Sequence, residues 1–174
     1  SSKGGVEELV AHVIEQHGRL DAIVFCAVEA RLVSPLVVTE DQWRQAIDTN
    51  TSPFLWLGQC AAQVCARPGR LVAITSPFSR RYVEGYGAIG PSKAALESLV
   101  VYLAVELAAR GITVNAVSGG LVETELLHTR VADAAIAAVA KRTPIGRIGQ
   151  PEDVASLVTF LVSESAEWVT GQIL

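Results

Sequence analysis

The apolar positions of this chain follow two different periods. In residues 5–17, Val6, Leu9, Val10, Val13 and Ile14 recur at helical spacing and define one apolar face. "AIVFCAV" (22–28) is a short continuous apolar run, the pattern of a strand buried on both faces. Thr39 and Gln42 have capping-box spacing, so a helix is expected to start near Glu40. Its pattern runs to about Ala66, with an irregularity at "NTSP", where Pro53 lacks an N–H and pushes Ser52 away from helical angles. "RPGR" (67–70) is turn chemistry and "LVAIT" (71–75) a second strand.

A long helix is expected over about 88–109, with Pro91 in its first turn, where a missing N–H costs little. Leu96, Leu99, Val100, Leu103, Ala104 and Leu107 form its stripe, and Gly111 ends it. "ITVNAV" (112–117) is a third strand and "SGGLVETE" a loop. A helix follows over about 131–142, and Pro151 opens a last one to about Val162. "VTGQIL" reads as a final strand cut short. Strands alternating with amphipathic helices predict one α/β domain over residues 1–174, with a parallel sheet. Ligands of open parallel sheets bind outside the carboxyl ends of the strands, here segments 27–35, 76–86 and 118–130.

Composition narrows the function classes. Of 174 residues, half are apolar and 18% charged, which suits a packed globular chain rather than a disordered one. A net charge of −4 gives nucleic-acid binding no support, and the longest apolar stretch, broken by Glu97, Ser98 and Glu106, is too short to span a bilayer. Cys26, Cys60 and Cys65 form no CxxC and read as buried free thiols of a reducing, cytoplasmic compartment. His12 and His17 lack partners at metal spacing, so no metal site is expected. Ser118 sits outside any G-x-S-x-G elbow, which argues against a hydrolase.

The chemistry concentrates in "EGYGAIGPSKAALE" (84–97), with Tyr86 seven residues before Lys93. Seven helical residues rise about 10.5 Å and return to nearly the same face. An ammonium near a phenol favours the phenolate, so the Tyr86 pKa is expected below its usual value.

These residues resemble the short-chain dehydrogenase/reductase family, and within it the NADPH-using enoyl-acyl-carrier-protein reductases. Most members carry Tyr-x3-Lys, but here Ile89 stands four before Lys93; the enoyl reductases carry Tyr-x6-Lys, which Tyr86 and Lys93 match. "LVAITS" resembles the strand ending in the active-site serine (Ser76), and "IDTN" places Asn50 at the family's structural asparagine. "VNAVSGGLVETEL" resembles the cofactor-side loop, and "PIGRIGQPEDVASLVTFLVSESAEWVTGQIL" the C-terminal segment.

The resemblance implies a Rossmann-like, doubly wound parallel sheet. It implies an N-terminal truncation, because the Gly-rich phosphate loop is missing and "SSKGG" follows no strand. "FCAVEA" departs from the family's Asn-Asn-Ala-Gly-like turn. The implied function is reduction of the 2,3 double bond of an enoyl thioester, carried by acyl-carrier protein or coenzyme A, with NADPH or NADH. Tyr86 would stabilise the enolate oxygen, Lys93 would hold the nicotinamide ribose and tune Tyr86, and Ser76 would bond substrate. Gly119, Val122, Thr124 and Asn50 are the further implied cofactor-side residues, and His128 and Tyr82 weaker neighbours. The family pairs subunits through the equivalents of helices 40–66 and 88–109, implying a homotetramer. Two other readings stay open: a carbonyl reductase of the same family, and a noncatalytic assembly protein that keeps only the interface.

Overall fold

Three apolar runs become three parallel strands. A computed structural model describes residues 2–174, apart from the side chains of residues 66 and 67. Strands β1 (Leu20–Phe25), β2 (Cys65–Thr75) and β3 (Ile112–Ser118) lie in the order β1-β2-β3. Residues 171–174 begin to run beside β3, with a parallel bridge from Ile173 to Ala116 and a hydrogen bond from Leu174 N to Ala116 O (3.0 Å).

The helices cover both faces. α1 (Lys3–His17), α3 (Ser52–Val64) and α4 (Ile89–Ala108) pack on one face, where Val6, Phe54, Leu71, Leu96, Val100 and Val114 form the main core. α7 (Pro151–Val162) packs on the other, with Leu161 against Val72 and Val117. Opposite faces of the sheet receive alternate residues of β2 and β3, as period-2 geometry requires. The result is the α/β, Rossmann-like layering expected of the sequence.

Several boundaries differ from expectation for local reasons. The stretch 40–66 is two helices, α2 (Glu40–Asn50) and α3, broken at Thr51 with φ −130° and ψ −58°. Ser52 is already helical, so the break falls one residue earlier than Pro53 suggested: proline is tolerated at the second position of α3. The capping box at Thr39 and Gln42 forms both of its bonds. β2 starts at Cys65 rather than 71. Its register against β1 jumps from Leu20↔Cys65 to Ala22↔Arg70, so the turn-like "RPG" is carried as an irregularity within a strand.

"SGGLVETE" leads into a short helix that periodicity did not suggest, α5 (Glu125–Arg130), capped by Thr124 Oγ1 accepting from Leu127 N (3.2 Å). α6 (Asp133–Arg142) follows. In α1, Val6 and Val10 are buried but Leu9 faces out. The cysteines are free but not buried: Cys26 is exposed, Cys60 and Cys65 half-buried. None of the described helices is long and apolar enough to cross a membrane.

Candidate functional site

The carboxyl ends of β1, β2 and β3 converge on an open cavity of about 260 Å³. Tyr86, Lys93, Ser76, Gly119, Val122 and Thr124 all line it, joined by Cys26, Ile74 and Ile89 and, from α5, by Leu126, Leu127 and Arg130. Six of the seven candidate residues, drawn from four separate segments, therefore share one cleft.

Asn50 is the seventh and stands apart. Its side chain is fully buried, with Oδ1 accepting from Glu29 N (2.6 Å) and Nδ2 donating to Glu29 O (3.1 Å) and Ser92 Oγ (2.9 Å). Its amide is committed to tying the end of α2 to the loop after β1 and to α4. The expectation of a cofactor contact is corrected to a structural one. His128 also stays out of the cavity, exposed and paired with Glu123 and Asp133, whose carboxylates raise its pKa. Trp43 is an α2 side chain away from the cleft, while Tyr82 borders a neighbouring cavity.

Lys93 is carried into the cleft by the first turns of α4. The residue is only 5% exposed, and its ammonium donates to the carbonyl of Ile74 at the end of β2 (2.9 Å) and lies 6.0 Å from the centre of the Phe25 ring. Burial lowers its pKa from 10.5 to about 8, opposed by the charge of the Cys26 thiolate. An ammonium has three donors, and one is spent on Ile74.

Tyr86 is positioned by close backbone approaches. A Cβ at Gly87 would lie 2.4 Å from the Pro35 nitrogen, and one at Gly90 2.9 Å from the Phe78 carbonyl oxygen. Only glycine lets the loop of Val33–Pro35 and the Phe78 backbone come this close. Val33 N bonds Gly85 O (2.6 Å) and Gly87 N bonds Val33 O (3.0 Å), fixing Tyr86 between them, and its ring meets Phe78 edge-on at 5.3 Å.

The electrostatics of Tyr86 reverse the expectation. Desolvation raises its pKa above the ordinary phenol value, and no lowering by Lys93 accompanies it. Half-burial of the ring and an ammonium turned to the Ile74 carbonyl explain this, and both favour the protonated phenol. Ser76 Oγ accepts from Phe78 N (3.3 Å), capping a 3₁₀ turn (Pro77–Ser79) and keeping its O–H as a free donor.

In the sequence Glu97 is only an interruption of an apolar stretch. The residue is 4% exposed, one turn beyond Lys93, and its carboxylate accepts from Thr75 Oγ1 (2.9 Å), Ser79 Oγ (2.7 Å) and Arg80 Nε (2.8 Å). It fixes the turn that carries Ser76. The available signal was position: residue 97 follows 93 by four and precedes the buried Val100 by three, so it lies on the inward face of α4.

Gly119 is built tightly. A Cβ there would come within 2.8 Å of Val154 and 3.1 Å of Val122. Val122 pairs with Gly149 in an isolated parallel bridge, which holds the loop 119–124 as one wall of the cleft. The cleft thus offers a buried ammonium, free hydroxyl donors from Tyr86, Ser76 and Thr124, and loop backbone, a donor set that fits the ribose, carboxamide and phosphate groups of a nicotinamide dinucleotide.

Comparison with known proteins agrees. The family model described as enoyl-(acyl carrier protein) reductase matches residues 1–174. A 1-cyclohexenylcarbonyl-CoA reductase of Streptomyces collinus is 34% identical over 98% of this chain and 62% of its own length. A 3-oxoacyl-[acyl-carrier-protein] reductase of Salmonella typhimurium is 31% identical over 97% of this chain and 70% of its own. The crystal structure of the NADH enoyl-[acyl-carrier-protein] reductase of Aquifex aeolicus superposes with a TM-score of 0.90 at 26% identity, over 99% of this chain and 70% of that one. On the match of the whole sequence to the family model, and on relatives at this identity, the chain belongs to the short-chain dehydrogenase/reductase family of oxidoreductases, in the branch that the enoyl-(acyl carrier protein) reductase model describes.

Proposed function

We propose that the protein reduces the 2,3 double bond of an enoyl thioester with a nicotinamide cofactor. The observation that carries this reading is the meeting of Tyr86 and Lys93, seven residues apart, in one cleft with Ser76 and the 119–124 loop. Lys93, Val122 and Thr124 are the residues that would hold the nicotinamide end, which supplies a hydride when bound. Tyr86, a neutral phenol, donates to the thioester oxygen as negative charge develops there. Lys93 places a positive charge at the floor of the same cleft, and Ser76 offers a second donor to the substrate.

The Tyr-x6-Lys spacing suits this bond. In an enoyl thioester the oxygen lies two carbons from the carbon that takes the hydride, so the donor must stand further from the nicotinamide than in a carbonyl reductase. Carbonyl reduction is the second reading, favoured by the similarity to a 3-oxoacyl-[acyl-carrier-protein] reductase. Against it, the position four before Lys93 holds Ile89, buried and apolar, which offers no proton. NADPH is the proposed cofactor, with NADH the alternative. Association of copies into a homotetramer through α2, α3 and α4 is also proposed, supported by the outward apolar side chains of Tyr102 and Val105 on α4.

The test is reduction of crotonyl and acetoacetyl thioesters, followed by loss of reduced-nicotinamide absorbance with NADPH and with NADH. Crotonyl turnover that falls about a hundredfold in Tyr86→Phe supports the reading. Undiminished turnover in that variant, or turnover of acetoacetyl thioester alone, overturns it. A protein that turns over neither and shows no change in tryptophan fluorescence or melting temperature with either cofactor is the noncatalytic assembly member.

A further inference from the structure

Tyr86 borders two cavities. Beyond the cleft that holds Lys93, its ring and Gly87 adjoin a second cavity of about 340 Å³. The walls of this second space differ from the first. Pro35, Phe78 and Pro91 give it apolar surface, and Arg80 and Arg81 give it two guanidinium groups.

Arg80 is held in place. Its Nε donates to the buried Glu97 carboxylate, itself fixed by Thr75 and Ser79, while the side chain stays 65% exposed. Its two terminal nitrogens have no hydrogen-bond partner among the described residues. Arg81 is exposed, and among the described residues no carboxylate lies within ion-pair distance of it. Glu84, the other charge on this loop, does not border the cavity. Glu97 offsets the charge of Arg80, so the net positive charge of the cavity is that of Arg81.

A guanidinium held at Nε by a buried acid presents its remaining donors already ordered, which removes much of the entropic cost of binding an anion. Planar guanidinium groups match the oxygens of phosphate. Tyr86 is five positions after Arg81, so their backbones lie no more than roughly 17 Å apart. That is the scale of a long flexible arm leading from a reacting thioester to a distant charge.

We propose that the cavity of Arg80 and Arg81 binds the phosphate of the substrate's pantetheine arm, with Pro35, Phe78 and Pro91 against its branched apolar end, while the acyl group passes Tyr86 into the first cleft. The proposal rests on the thioester reading above and adds to it the anchor of the carrier portion. The pantetheine arm and the phosphoryl group at its end are common to coenzyme A, where that group is half of a pyrophosphate, and to acyl-carrier protein, where it is a phosphodiester, and both present anionic phosphoryl oxygens to these arginines.

Calorimetric titration with phosphopantetheine and with pantetheine, which lacks the phosphate, tests this without turnover. The phosphorylated arm is expected to bind at least about tenfold tighter, from charge-assisted bonds to Arg80 and Arg81. In Arg81→Gln, an exposed position that leaves the fold intact, the preference collapses toward unity while the affinity for pantetheine holds. Arg80→Gln with Arg81→Gln removes what preference is left. Equal affinity for the two compounds, binding of neither, or an undiminished preference in Arg81→Gln overturns the proposal.

Parallel titrations with coenzyme A and with holo acyl-carrier protein distinguish the sources. The natural one loses affinity in Arg81→Gln, and a loss for neither counts against the site. Reduction of crotonyl N-acetylcysteamine, a thioester without phosphate, reports on the reductase reading separately. Its turnover with no phosphate preference refutes the anchor alone, and absence of turnover with both this thioester and crotonyl-coenzyme A refutes the reductase.

Discussion

Replacing Lys93 by methionine is expected to stabilise the protein at neutral pH while removing its chemistry. The native state holds this residue at 5% exposure, where burial brings its pKa from 10.5 to about 8. Below pH 8 the amine is charged in both folded and unfolded chains, so the folded state bears the full desolvation cost, about 3 kcal/mol. Between pH 8 and 10.5 the unfolded chain binds more protons than the native one. Stability contributed by this group therefore rises with pH across that window. Methionine keeps the volume and loses one hydrogen bond to Ile74 O, a loss of about 1 kcal/mol.

Lys93→Met should therefore gain about 2 kcal/mol at pH 7, and the gap should close by about 2 kcal/mol on going to pH 9.5. The raised pKa values of Cys26, Cys60, Cys65 and Tyr86 act in the opposite sense as the unfolded groups ionise. Those of Cys60, Cys65 and Tyr86 are common to both proteins and cancel in the difference; Cys26, which also feels the charge of Lys93, is removed from it by comparing the two in a Cys26→Ser background. Urea unfolding of each, followed by tryptophan fluorescence in buffers from pH 7 to 9.5, measures the gap. A gap constant to within about 0.5 kcal/mol over that range would refute the buried, pKa-lowered lysine.

Two further predictions concern the scaffold of the site. Glu97→Ala leaves the Thr75 and Ser79 hydroxyls and Arg80 Nε without their acceptor and should cost about 2–4 kcal/mol in urea unfolding, reduced from a fully buried pair because Arg80 can rehydrate; Glu97→Gln, which keeps one acceptor oxygen, should cost about half as much. Asn50→Ala removes three hydrogen bonds joining α2 to Glu29 and Ser92 and should cost about 2–3 kcal/mol, with a drop in thermal midpoint of the same size with and without NADPH, because Asn50 lies outside the cleft and any upshift by a cofactor bound there is common to both proteins.

Secondary structure was legible wherever one local rule dominated. Thr39–Gln42, Pro151 and the stripe Leu96–Leu107 announced their helices because capping and 3.6-residue periodicity act within a few residues. Local rules failed where tertiary pairing prevailed. "RPGR" looks like a turn, yet β2 extends back to Cys65 through its contact with Leu20. α5 is six residues long, too short for periodicity to register.

The site was legible as a set of residue types and spacings, Tyr86 and Lys93 above all. Their electrostatic state was not, because it depends on burial and on which carbonyl receives the ammonium. Glu97 and Asn50 make the same point: an acid in an apolar stripe and an amide at a helix end become structural clamps only when hydroxyls, backbone and guanidinium arrive from segments up to 42 residues away.

The sequence by itself determined the alternation of strands and helices, the family, and the candidates for the chemistry, since these follow from periodicity and from residue identity at fixed spacing. Only the tertiary structure decided that six of those candidates share one cleft and that Asn50 does not. It alone showed that burial favours the protonated form of Tyr86 and that a second, cationic cavity adjoins it. Desolvation and convergence are properties of what surrounds a residue in space, and the neighbours in question are distant along the chain.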